Sequence, residues 1–210
     1  PTSTSSTPSA GCSTNCAQAM QEAVPAGEGA MAAVMGLEAE AVREACAEAA
    51  QGQVVEAANL NAPGQIVIAG AKAAVERASE IAKAKGAKRA VLLPVSAPFH
   101  CALMRPAAER LAERLATVAV STPTIGVINN VDVAVYDEPE KIRDALVRQA
   151  YSPVRWIELV QEMARRGMSH VIECGPGKVL AGMTKRIAKE VEGGSAHDAA
   201  SLEQSIAAVR

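Results

Sequence analysis

The chain has 210 residues, 21 Lys and Arg against 23 Asp and Glu, a formal net charge of -2, and as aromatics only one Phe, one Trp and two Tyr. That charge balance offers no basic face for nucleic acid or an anionic membrane, and base stacking needs rings the chain lacks. The hydrophobic content of 49% is spent mostly on Ala and Val, no run approaches the roughly 18 to 20 apolar residues that span a bilayer, and no charged start precedes an apolar signal segment, so a cytoplasmic protein without nucleic-acid or membrane partners is expected.

Residues 1–18, PTSTSSTPSAGCSTNCAQ, are rich in Ser, Thr and Pro, uncharged and without apolar periodicity, which reads as linker, tail or sequence artefact. Five cysteines (Cys12, Cys16, Cys46, Cys101, Cys174) are an odd number, widely spread, and read as free thiols; CSTNC has no second Cys or His pair nearby, so no metal site is expected. Residues 19–28 read as a remnant helix or connection of a larger subdomain.

From Gly29 onward, apolar runs alternate with Ala-rich amphipathic segments. The pattern predicts strands over Ala30–Met35, Val54–Asn59, Gln65–Ala69 and Arg89–Leu93, and helices from about Glu38 to Ala50 and from about Lys72 to Lys85. The order βαββαβ is that of a ferredoxin-like unit over residues 29–93, two helices on one face of a four-stranded sheet. Beyond Pro94 comes the loop VSAPFH and a helix from about Leu103 to Val118. A strand over Ile125–Ile128, helices from about Glu138 to Gln149 and Pro153 to Arg166, a strand over His170–Glu173, the turn Gly175-Pro176-Gly177 and a helix from Val179 to Val191 follow. This is the rhythm of part of a parallel α/β sheet over residues 94–192, with 193–210 read as a tail. Two strands cannot complete such a sheet, so open edges and exposed apolar faces are expected.

Three places offer chemistry. His100 lies in a loop stiffened by Pro94 and Pro98, where an imidazole is held for general acid–base work. His170 and His197 read as surface or packing residues. The turn around Asn59–Gln65 contains Asn59 and Asn61, and Gly175-Pro176-Gly177 stands between strand and helix but lacks the spacing of a dinucleotide fingerprint or a P-loop, so it reads as a structural turn. No GxSxG nucleophile elbow occurs. Cys101 follows His100 directly, and neighbours in a regular element point apart, which argues against a Cys–His dyad.

From Met20 to about Lys189, without gaps, the strings MQEAVPAGEGAMAAVMGL, NLNAPGQIVIAGAKAAVERA, PVSAPFHCALMRPAAERL, NNVDV, DALVRQAYSPVRWIE and ECGPGKVLAGMTKRI resemble the malonyl-CoA:acyl carrier protein transacylases of bacterial type II fatty acid synthesis. The resemblance implies an α/β fold in which the ferredoxin-like subdomain joins the C-terminal part of an α/β-hydrolase-like subdomain. It implies ping-pong transfer of malonyl from coenzyme A, through a Ser, to the phosphopantetheine thiol of acyl carrier protein. The coenzyme A thioester is substrate, no cofactor or metal is used, and a monomer is expected. His100 of APFHCALM matches the general base, and Gln149 of VRQAYSPV matches the residue whose backbone carbonyl orients it. Phe99 matches the position that favours malonyl over methylmalonyl, and Asn59 and Asn61 are candidates for contacts to the pantetheine arm. Arg105, Lys178, Lys185 and Arg186 are candidates for docking the acidic carrier protein.

The sequence departs from that family in lacking the GHSLG elbow and an early Gly-Gln-Gly segment, and in having Cys16 where the family places the Arg that pairs with the malonyl carboxylate. It is therefore expected to be the larger part of a longer enzyme. The alternatives are an inactive relic, a non-catalytic carrier-protein-binding module and a ferredoxin-like regulatory domain.

Overall fold

The computed structural model describes residues 17–209, and Cys12, Cys16 and the rest of the expected linker through residue 16 lie outside them. A helical segment α1 (residues 17–22) precedes β1 (Gly29–Met35), α2 (Ala39–Ala50), β2 (Val55–Ala62), β3 (Gln65–Ala71), α3 (Lys72–Ala84) and β4 (Arg89–Leu92). The four strands form one antiparallel sheet in the order β2-β3-β1-β4, the ferredoxin-like arrangement that the periodicity predicts.

The two faces of this sheet have different duties. On one, Ala32 and Val34 of β1 stand opposite Ile68 and Ile66 of β3, all fully buried, and pack against Val42, Ala45 and Ala49 of α2 and Ala74, Val75 and Ala78 of α3. Small Ala side chains let both helices lie close to the sheet, while each buried Ile adds about 1.5–3 kcal/mol. Period-two alternation sends Met31, Val67 and Ala69 to the other face, where they meet Cys101, Phe99 and Leu103. The loop carrying His100 therefore lies on the sheet itself rather than in solvent.

After the loop come a 3-10 turn (Ala102–Met104) and α4 (Arg105–Ala116), then β5 (Ile128–Asn129), β6 (Ala134–Val135), α5 (Pro139–Gln149), α6 (Trp156–Arg165), β7 (His170–Cys174), α7 (Val179–Ile187), β8 (Glu192–Ala196) and α8 (Ala199–Ala208). The strand expected over Ile125–Ile128 is displaced. Ile125 and Val127 are exposed, and only Ile128 joins a short antiparallel hairpin with Val135. Among the described residues β7 pairs with β8 alone, in parallel.

The segment expected to be a tail, 193–210, instead carries β8 and α8. Glu192-Gly193-Gly194 reads as a loop by composition, yet a Cβ at Gly193 would stand 2.4 Å from the Ala181 carbonyl oxygen. The glycine is there so that the strand can pass close beneath α7. Asp198 then caps α8, accepting from Ser201 N–H at 2.7 Å while the Ser201 hydroxyl accepts from Asp198 N–H at 3.0 Å.

Candidate active site

The loop between β4 and the 3-10 turn is fixed at four points. Pro98, fully buried, sits where Gly29 has no side chain: a Cβ there would come within 2.5 Å of the proline ring. Phe99 packs into two clusters, one with Met31, Val67 and Ala69 on the sheet and one with Val24, Ala97 and Met104. Cys101, fully buried, donates from Sγ to the Pro98 carbonyl at 3.1 Å. The Ala102 N–H donates to Glu56 Oε2 at 3.0 Å, so a carboxylate from β2 meets the start of the following helical turn, where free N–H groups favour an anion.

Between these anchors His100 has a positive φ of 62°, uncommon for a residue with a side chain and persisting only where the surroundings over-determine it. Its Nδ1 lies 3.4 Å from the Gln149 carbonyl oxygen, a long hydrogen bond. That oxygen is available for a simple reason. Gln149 is the last residue of α5, and the carbonyls of a final helical turn have no partner within the helix. Burial pulls the His100 pKa below its ordinary value, and the backbone carbonyls of Gln149 and Ser152 partly oppose that shift by favouring the protonated ring. The ring is neutral at pH 7. With Nδ1–H turned to Gln149, Nε2 is left as the free basic nitrogen.

The segment after α5 is tied back to the ferredoxin-like sheet. Val154 N–H donates to Ala58 O and Val154 O accepts from Leu60 N–H, both at 2.8 Å, so Val154 lies beside Asn59 as a short parallel extension of the sheet. Asn130 brackets the same stretch: its Nδ2 donates to Pro153 O at 2.9 Å, and its Oδ1 accepts from Arg155 N–H at 2.8 Å. Arg148, next to Gln149, grips Asp132 through two nitrogens at 2.9 and 2.6 Å and Asp144 at 2.7 Å. The Arg148 guanidinium, with help from the Tyr136 hydroxyl, holds the Asp132 carboxyl below the usual range.

His100 and Gln149, far apart in sequence, are thus brought together, and Phe99 stands beside the histidine, half-buried. Asn59 and Asn61 are half-buried on β2, and neither side chain makes a hydrogen bond to another described residue. Burial pushes the Cys101 thiol up to about 12, a shift that the Leu103 backbone opposes and Glu56 reinforces, so it stays protonated beside the histidine. The Gly175-Pro176-Gly177 turn leads into α7, whose Leu180 and Ala181 N–H groups donate to Glu173 Oε2 at 2.9 and 3.0 Å. With the chain's own carboxylate at that helix end, the turn serves structure rather than phosphate. Among the basic candidates, Arg186 is engaged within the molecule, donating to Gln65 Oε1 at 2.6 Å and Pro63 O at 3.2 Å. Arg105 lies over the Tyr151 ring at 4.5 Å, and Lys178 and Lys185 are exposed. Among the described residues no cluster of three His, Cys, Asp or Glu could hold a metal ion, and no helix is long and apolar enough to cross a membrane.

Sequence reasoning missed Glu56, Asn130 and Gly29. Each acts across a long stretch of chain, and the only sequence signal is Glu56, a lone charge inside the strand pattern of β2.

The family described as "Acyl transferase domain" matches residues 9–205. The chain belongs to this acyl transferase family. It is 58% identical over 183 residues, 87% of its own length, to a malonyl CoA-acyl carrier protein transacylase of Haemophilus influenzae, of which it spans 59%. Its structure matches that of an acyl carrier protein S-malonyltransferase from Vibrio cholerae with a TM-score of 0.92 and 57% identity, covering 93% of this chain and 64% of that one. It also matches, at a TM-score of 0.90 and 50% identity over 92% of this chain and 62% of the other, a malonyl-transacylase in complex with a type II polyketide synthase acyl-carrier protein. The chain therefore spans less than two thirds of each of these acyl transferases.

Proposed function

We propose that the chain works within a malonyl-CoA:acyl carrier protein S-malonyltransferase of the cytoplasm and supplies its general base, His100. In this reading residues 29–93 are the small subdomain and 94–192 belong to the large one. As a serine oxygen forms its bond to the malonyl carbonyl, His100 Nε2 takes the hydroxyl proton, and the proton then goes to the departing coenzyme A thiolate. The second half runs in reverse order: His100 takes the proton of the phosphopantetheine thiol, that sulfur forms a thioester with malonyl, and the serine oxygen leaves with the proton. The Gln149 carbonyl fixes the tautomer that leaves Nε2 free, as in other base-orienting pairs. No GxSxG serine is among the 210 residues, and in this reading the nucleophile belongs to the part of the longer relatives that this chain does not span.

The observation that carries this reading is a half-buried, neutral imidazole whose Nδ1 faces a carbonyl left free by the end of α5. The similar transacylase that binds an acyl-carrier protein supports the choice of partner. Phe99, packed beside the base, narrows the acyl pocket toward malonyl; Asn59 and Asn61, whose amide groups bond to no other described residue, face the pantetheine arm in this reading. The test is intact mass before and after malonyl-CoA, on a version joined to the segment that bears the nucleophile in the longer relatives. One malonyl adduct, discharged by acyl carrier protein, is expected; a folded joined protein that never takes up malonyl would overturn the proposal.

A further inference from the structure

We propose that Asn130 is the positioning residue that sets the proton-bearing nitrogen of His100, without touching the histidine. Two independent supports meet on one short peptide. From one side β2 holds Val154 through both its N–H and its carbonyl; from the other, the Asn130 carboxamide holds the carbonyl before Val154 and the N–H after it. A carboxamide offers the donor and the acceptor side by side that this arrangement uses. Three residues, Ala150, Tyr151 and Ser152, separate Gln149 from this pinned stretch. The Gln149 carbonyl at the end of α5 faces Nδ1, and the Ser152 backbone, next to Pro153, also favours the protonated ring.

The histidine loop is referred to the same sheet by other means, through Glu56 on β2 and through Pro98 against Gly29 on β1. The distance from His100 to Gln149 is therefore a difference between two attachments to one sheet, and Asn130 clamps the second. At 3.4 Å the hydrogen bond is near the limit of useful length, so a small drift of residues 149–152 loses it. With the bond lost, the preference for the proton on Nδ1 weakens.

The role as a base rests on the preceding proposal, but the readout here does not: histidine ¹⁵N NMR at neutral pH reports directly which ring nitrogen carries the proton. In the unaltered chain the Nδ1–H form of His100 predominates. In Asn130→Ala the ratio of Nδ1–H to Nε2–H falls by about 2- to 12-fold, the worth of one intramolecular hydrogen bond. His170 and His197, whose Nδ1 atoms lie 2.9 Å from Ser169 Oγ and 3.3 Å from Ser195 Oγ, are the internal references and stay unchanged. Should Asn130→Ala not fold, Asn130→Asp keeps the size and the acceptor for Arg155 N–H but sets a charged oxygen against the Pro153 carbonyl in place of the donor, and its ratio falls in the same direction. An unchanged His100 ratio in a folded variant, or a shift shared equally by all three histidines, would overturn the proposal. In the protein with Asn130 unaltered, a failure of malonyl transfer while Nδ1–H still predominates would count against His100 as the base and not against Asn130.

Discussion

Replacing Gly29 with Ala tests whether packing beneath the loop places the histidine. Gly29 is not in the left-handed region, so its backbone accepts alanine, and any effect comes from the added methyl. That methyl would stand 2.5 Å from Cδ and Cγ of Pro98, whereas ordinary contact begins near 3.4 Å, so the proline must retreat by about 1 Å. Pro98 is fully buried and cannot turn aside, and the displacement passes to His100, two residues on. A shift of about 1 Å in a catalytic group is worth up to about 100-fold in rate, and overpacking costs about 1–3 kcal/mol of stability. The assay is malonyl transfer, with thermal unfolding alongside, in a version carrying the nucleophile segment. Gly27→Ala is the control: its φ of +88° makes alanine cost about 1–2 kcal/mol, but no described residue lies within 4 Å to be displaced, so transfer persists. A folded Gly29→Ala protein that transfers malonyl at the unaltered rate would refute the account of the loop.

Two further outcomes follow from the same geometry. Burial lowers the His100 pKa from 6.5, so the base stays free as pH falls through 6.5 and the acid limb of the transfer rate lies below that value; a limb above it would contradict the burial argument. The same shift means that the unfolded chain takes up its proton first, so this histidine's contribution to stability is full above pH 6.5 and declines as pH falls below it, as denaturant titration would show. Phe99→Ser opens room beside the base and raises the use of methylmalonyl-CoA relative to malonyl-CoA by about 10- to 200-fold at most, the range for one methylene-sized change in a pocket; an unchanged ratio removes Phe99 from the acyl pocket.

The ferredoxin-like half was legible because its strands alternate. In β3 the run Ile66, Ile68 faces the helices while Val67 and Ala69 face the histidine loop. The C-terminal half was less so. Glycines at 193 and 194 look like a loop until the approach of α7 and of Ile172 shows why nothing larger fits, and the apolar run at Ile125–Ile128 leaves Ile125 and Val127 in solvent. At the site, spacing alone singled out His100 by its stiff loop. Gln149 came only from the resemblance, because a backbone carbonyl leaves no mark in a side-chain pattern. Asn130 and Glu56 were invisible for a related reason: each polar side chain serves the backbone of a distant segment, and nothing in its own neighbourhood records that.

The most direct test of the central claim is malonyl transfer to acyl carrier protein by His100→Ala, in the version that carries the nucleophile segment. Loss of the general base predicts a rate lower by about 10²- to 10⁴-fold with folding retained. A rate equal to that of the unaltered protein would show that the proton goes elsewhere, and the reading of this site would be wrong.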